Sequence, residues 1–139
     1  MARPKDLDIG DAWLFSNCST SQLRTIRRNV EEVDVDAGTV LCEEGTMGRE
    51  FFFILDGTAS VRRNGRKVAT LERGQYFGEL SLLDRKPRSA TVVSDTPMTV
   101  LVLDQRRFNG VLEAVPALSR RLLAAMASRL READAKAIN

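Results

Sequence analysis

The sequence predicts a mainly β domain: an antiparallel β-roll of the jelly-roll or double-stranded β-helix kind, with helices confined to its two ends. Three observations carry this. Between residues 33 and 103 the apolar residues come in short runs, several with period two, punctuated by Ala37-Gly38, Glu44-Gly45, Asp56-Gly57 and Asn64-Gly65, as strands joined by turns require. On either side of that stretch the apolar spacing changes to three and four, the helical period. With 139 residues, 43% of them hydrophobic and 29% charged, the chain is one domain, 1–139, able to bury a sizeable core.

Met1 to Lys5, with an early Pro4, offer nothing to pack and read as a loose end. N-terminal helices are expected over 6–32. Leu7, Ile9, Trp13 and Leu14 make one apolar face of a short helix. Thr20 or Ser21 caps a second, in which Leu23, Ile26 and Val30 face inward while Arg24, Arg27 and Arg28 form a solvated outer face. The β-roll is expected over 33–103. Val33 and Val35, then Val40 and Cys42, alternate with polar residues on short strands. Phe51 to Leu55 is an apolar run of strand length ending at the Asp56-Gly57 bend, after which Ala59-Ser60-Val61 resumes. Asn64-Gly65 is the signature of a primed two-residue hairpin turn. Val61 and Val68 are therefore expected on strands paired across it, with the neighbouring arginines as solubilising edge charges.

Lys67 to Leu71 makes the return strand, and Glu72 to Gln75 turns the chain into residues 77–90. Beyond these, Ala90 to Val93 and Thr99 to Leu103 are β-branched runs separated by Ser94-Asp95-Thr96-Pro97, which predicts a second hairpin-like pair. C-terminal helices are expected over 104–139. Asp104 is positioned to cap one carrying Phe108, Val111 and Leu112, and Pro116 to open the last. There Leu118, Leu122, Met126, Leu130, Ala133 and Ala137 form a stripe at steps of four and three. A coiled-coil-like seam and a face packed on the β domain both produce that pattern. The last helix meets no glycine or proline stop, so the natural chain is expected to continue past Asn139.

Composition removes several function classes. Lysine and arginine number 21 against 19 aspartates and glutamates, a net charge of +2, which offers no field to hold nucleic acid. Cys18 and Cys42 are too few for a disulfide scaffold or a cysteine-rich zinc site and read as small core residues. The sequence has no histidine, which excludes Ser-His-Asp and Cys-His catalysis and the common histidine-based metal sites. Neither a leader pattern nor an apolar run of membrane-spanning length is present. A cytoplasmic location without membrane insertion is expected.

What remains is Phe77-Gly78-Glu79-Leu80-Ser81-Leu82-Leu83, followed after three residues by Pro87-Arg88-Ser89-Ala90-Thr91. Gly78 lets backbone approach a ligand, and Glu79-Leu80-Ser81 begins a short helix whose free N–H groups suit an anion. The loop returns Arg88 to the same place. A carboxylate for a ribose hydroxyl and a guanidinium for a phosphate describe a pocket for a phosphorylated sugar. Small residues at 89 and 90 leave room beside the arginine, and Ser89 adds a hydroxyl donor.

These residues resemble the phosphate-binding cassette of cyclic-nucleotide-binding domains, found in protein kinase A regulatory subunits, cyclic-nucleotide-gated channels and the catabolite activator protein. Ala37-Gly38, Glu44-Gly45, Phe52-Phe53-Ile54 and Gly57 also match that family's β-roll, and the final helix resembles its lid or dimer helix. The resemblance implies that Glu79 accepts the ribose 2′-hydroxyl and Arg88 pairs with the cyclic phosphate. Gly78, Leu80, Ser81, Ser89 and Ala90 would add backbone or hydroxyl contacts, Ser81 replacing an alanine more usual there. Base-lining candidates are Val61, Val68 and Ala69 on the strands before the cassette, with Arg129, Ala133 and Asp134 on the last helix. In that role Arg129 would stack on the base and Asp134 would accept from its amino group.

The function so implied is that of a non-enzymatic cytoplasmic sensor, with cAMP as its ligand and cGMP as an alternative, and with no cofactor or metal. It would pass occupancy through its terminal helices to an effector domain or protein, and the C-terminal helix is a candidate homodimer surface. Two other readings are the effector domain of a catabolite-activator-type transcription regulator, whose DNA-binding part is absent from this chain, and a degenerate interaction module that has lost its ligand. No nucleic acid would bind to this chain alone.

Overall fold

The computed structural model describes residues 9–138. The loose end expected at Met1 to Lys5, Leu7 of the first expected helix, the Ala137 side chain and Asn139 lie outside the described residues. The strands, in chain order, are β1 (Glu31–Val35), β2 (Val40–Cys42), β3 (Glu50–Asp56), β4 (Ala59–Arg63), β5 (Arg66–Leu71), β6 (Tyr76–Phe77), β7 (Thr91–Ser94) and β8 (Met98–Asp104). The helices are α1 (Thr20–Asn29), α2 (Glu79–Asp84), α3 (Gln105–Ala114) and α4 (Pro116–Ile138). Two antiparallel sheets, ordered β1-β8-β3-β6 and β2-β7-β4-β5, form the roll.

β3 shows why this sequence makes that architecture. Its alternate residues Phe52 and Ile54 enter the core between the sheets, with Cys42, Ala59, Phe77, Val92, Met98 and Val100. Phe51, Phe53 and Leu55 enter a second core beneath the helices, with Ile26, Phe108, Val111, Leu118 and Leu122. A strand buried on both faces reads as a continuous apolar run, and each such side chain contributes about 1.5–3 kcal/mol on burial. Phe51 also packs its ring 5.2 Å from that of Phe108, which fixes α3 on the outer face of the sheet.

Three local expectations are corrected. The first expected helix is instead two 3₁₀ turns, Ile9–Asp11 and Trp13–Phe15, separated by the extended Ala12. Ile9 and Leu14 are buried, but Trp13 turns outward and lies 4.7 Å beneath the Arg121 guanidinium of α4. The cap of α1 is Ser19: its hydroxyl accepts from Gln22 N–H at 3.1 Å, and the Gln22 side chain accepts from Ser19 N–H at 2.8 Å. Of the three successive hydroxyl residues 19–21, only Ser19 has a glutamine three places on to close this capping box.

β7 and β8 do not form a hairpin. β7 pairs with β2 and β4, whereas β8 pairs with β1 and β3, so residues 94–97 carry the chain from one sheet to the other. Ser94 and Asp95 enforce the crossing. The Ser94 hydroxyl accepts from Thr39 N–H at 2.8 Å and donates to the Asp36 carbonyl at 2.7 Å. Asp95 N–H donates to the Thr58 carbonyl at 2.9 Å. Pro97 has no N–H to continue a ladder.

Among its described side chains, the stripe on α4 packs on the domain through Leu118 and Leu122, with Met126 half-buried; Leu130 and Ala133 face solvent. Two other local expectations match the structure. Asn64 and Gly65 take positive φ at 51° and 76°, the primed turn joining β4 to β5, and the Asp104 carboxylate caps α3 through Arg107 N–H at 2.8 Å.

Ser94→Ala is expected to leave the part-buried Thr39 N–H without its side-chain acceptor and lower stability by about 1 kcal/mol. Urea unfolding followed by circular dichroism measures this, and an unchanged midpoint would contradict the role given to the hydroxyl.

Candidate functional site

The cassette begins where β6 ends. Gly78 takes φ 94° at the N-terminus of α2, a left-handed conformation that favours glycine. Space requires it too, because a β-carbon there would sit 2.7 Å from the Glu50 carbonyl oxygen and 2.8 Å from Arg88 Nη1. After α2 the chain returns along the 45–48 loop: Arg88 N–H donates to the Thr46 carbonyl at 2.7 Å and Gly45 N–H to the Arg88 carbonyl at 2.9 Å. The Arg88 backbone is thereby fixed at both its polar atoms.

Its side chain is equally constrained. Arg88 is 8% exposed; Nη1 donates to the Gly78 carbonyl at 2.8 Å and Nη2 to the Glu50 carbonyl at 2.6 Å. A β-carbon on Gly48 would collide with the guanidinium. Gly48 and Gly78 thus leave the space the side chain occupies. Among the described residues no carboxylate lies within ion-pair distance of Arg88.

Glu79, in the first turn of α2, is also buried. Its Oε2 is 3.4 Å from Nη1 of Arg129, an exposed residue of α4. Burial pushes the Glu79 carboxyl above its ordinary pKa, against the opposing pull of its own backbone N–H, of Arg129 and of Arg88. Tyr76 in the same wall is raised as well, chiefly by burial and then by the Glu79 charge. Burial drives the Cys42 thiol up to about 11, so it is a neutral wall residue at physiological pH.

These groups line one cavity of about 170 Å³. Of the residues singled out in the sequence, Gly78, Glu79, Leu80, Ser81, Arg88, Ser89, Ala90, Val61 and Arg129 are in its wall; Val68, Ala69, Ala133 and Asp134 are not. Val61 pairs with Ala69 and Arg62 with Lys67, so Val68 is the extra residue of a β-bulge, 52% exposed. Ala69 shares Val61's cross-strand position, yet stays exposed near the hairpin end. Ala133 and Asp134 stand in solvent one turn beyond Arg129.

Sequence reasoning omitted Cys42, Arg63, Leu71, Tyr76, Phe77 and Val92 from the wall. The alternation of β4 and β5 carried a signal for Leu71, which pairs with Ala59 on the inward face. Gly48, which makes room for Arg88, had none, since the approach of the two segments is a tertiary fact.

The model of the family described as the cyclic nucleotide-binding domain matches residues 32–115. The cAMP-dependent protein kinase regulatory subunit of Schizosaccharomyces pombe is 35% identical over 100 residues, 71% of this chain and 24% of that protein. The chain thus spans about a quarter of that relative's length. Thermus thermophilus catabolite activator protein superposes with a TM-score of 0.82 at 27% identity, covering 88% of this chain and 60% of that one. The regulatory domain of Toxoplasma gondii PKA, in co-crystals with cAMP, gives a TM-score of 0.68 at 28% identity, covering 76% and 42% of the two chains. The family match runs from β1 through α3 and takes in every residue of the cavity wall except Arg129, and on that ground this chain belongs to the family of cyclic nucleotide-binding domains.

Proposed function

We propose that the chain is a cytoplasmic cyclic-nucleotide sensor without catalytic activity, with cAMP as its ligand and cGMP as a competitor. The observation that carries this reading is Arg88, a buried guanidinium held by two carbonyls, with no carboxylate of the described residues within ion-pair distance. A buried charge without a directly paired counter-ion is costly, and a cyclic phosphate supplies one. The N–H groups not taken by the carbonyls of Gly78 and Glu50 bind it, with Ser89, Ala90 and the first turn of α2 alongside. Glu79 accepts the ribose 2′-hydroxyl, and Val61 lies against the base. The likeness to a PKA regulatory domain crystallised with cAMP supports that choice of ligand.

Arg129 links the pocket to the output. It pairs with Glu79; a bound ribose takes Glu79, and Arg129 then stacks on the base. α4 closes over the cavity, bringing Ala133 and Asp134 toward the base. Only the difference in nucleotide affinity between the two arrangements drives the change. The signal passes through the terminal helices to an effector domain or protein. Leu123 and Leu130, exposed and seven residues apart on α4, have the spacing of a seam with a second copy. A second reading, the effector domain of a catabolite-activator-type regulator, is supported by the likeness to the Thermus thermophilus protein.

Arg88→Ala is expected to weaken cAMP binding by about 2–5 kcal/mol, since the phosphate is left poorly paired. Gly48→Ala, which touches no ligand group, should weaken it in the same direction by displacing the guanidinium. Calorimetry on both variants checks this, and parental affinity in Arg88→Ala would exclude the assignment. Glu79→Gln should cost about 1.5–3 kcal/mol of nucleotide binding while raising the melting temperature of the ligand-free chain at pH 7. The folded state holds the Glu79 proton more tightly than the unfolded state, so the charged form costs stability at neutral pH. That cost disappears as pH falls through the raised folded pKa and below the ordinary carboxylate value. The melting advantage of the glutamine variant should therefore vanish in acid; an advantage independent of pH would contradict the burial argument.

A further inference from the structure

Three arginines stand in the cavity wall: Arg88, Arg129 and Arg63. Arg88 is held by two carbonyls and Arg129 pairs with Glu79. Arg63, the last residue of β4, is exposed, and among the described residues its side chain has no hydrogen-bond or ion-pair partner. It follows Val61 by two residues, and the pleat puts both on the cavity side; both line it. Arg62, of opposite phase, does not line it. An edge charge of purely solubilising role has no reason to face a ligand cavity.

On the proposed function, which this inference rests on, the phosphate and ribose occupy the Arg88 and Glu79 end. The base is left against Val61, Leu71 and Val92, the apolar part of the wall. Arg63 then stands past Val61, toward the hairpin end, where the base presents its edge. A guanidinium carries only donors, in a planar fork. Guanine offers it two adjacent acceptors, N7 and O6, whereas adenine offers N7 beside an amino group that is itself a donor. We infer that Arg63 is a specificity-determining residue that reads the acceptor edge of guanine. The affinity of this chain for cGMP depends on Arg63, and its affinity for cAMP does not.

The test is calorimetric titration of cAMP and cGMP into the parent chain, Arg63→Ala and Arg63→Lys, with melting temperatures as a check on folding. Arg63→Ala is expected to weaken cGMP by about tenfold or more while cAMP changes by less than about threefold, the scale of one bidentate base contact. Arg63→Lys should recover little of the loss, because an ammonium keeps the charge without the fork. Equal weakening of both nucleotides, or full recovery by lysine, would mean that Arg63 supplies only a field for anions and would overturn the inference. No change in either affinity would overturn it as well. If the parent binds neither nucleotide, the proposed function fails along with it; if the parent binds both and the variants do not discriminate, this inference alone fails.

Discussion

The Arg88 guanidinium donates to two carbonyls that belong to different parts of the fold, Gly78 at the start of α2 and Glu50 at the start of β3. Holding a cation in that buried position requires backbone where side chains would otherwise be, and two glycines provide it. Gly78 makes room on the cassette side and Gly48 on the loop side. The loop in turn is tied to Arg88 through Thr46 and Gly45. One side chain thereby joins β3, the 45–48 loop and α2. The cavity wall depends on that junction, since displacing the guanidinium releases the carbonyl contacts that set where α2 begins.

The two cores relate this junction to the helices. β3 buries Phe52 and Ile54 inside the roll and Phe51, Phe53 and Leu55 beneath the helices, so the strand that begins at Glu50 also carries α3 through Phe108. Among the described residues, α4 is anchored over its first turns by Leu118 and Leu122 and by Arg121, which stacks on Trp13 and donates to the Ser16 hydroxyl at 2.9 Å. Beyond that the helix extends into solvent, and the Arg129–Glu79 pair is its contact with the cassette. With Arg129 largely exposed, such a pair is weak. A weak contact between a buried acceptor and a lightly anchored helix suits the exchange proposed above.

Features written in contiguous residues were legible in the sequence. The Asn64-Gly65 turn, the Phe51 to Leu55 strand and the Asp104 cap each follow from a local rule, and the cassette was visible because Gly78, Glu79 and Arg88 lie within one short segment. Features that depend on which strands become neighbours were not. β7 and β8 resemble a hairpin in sequence, but Ser94 ties their connection to Thr39 and Asp36 across the sheets. A single bulge turns Val68 outward, which no alternation rule foretells. Arg63 reads as a surface charge until the pleat of β4 is seen to turn it toward the cavity.

On the proposed function, occupancy is communicated by exchange of the Arg129–Glu79 contact. Amide hydrogen exchange along residues 123–136, with and without saturating cAMP, in the parent and in Arg129→Gln, tests it most directly. Nucleotide is expected to increase protection of this segment in the parent, and Arg129→Gln to bind cAMP yet lose most of the increase. An equal increase in both proteins, or none in the parent when cAMP is bound, would contradict it.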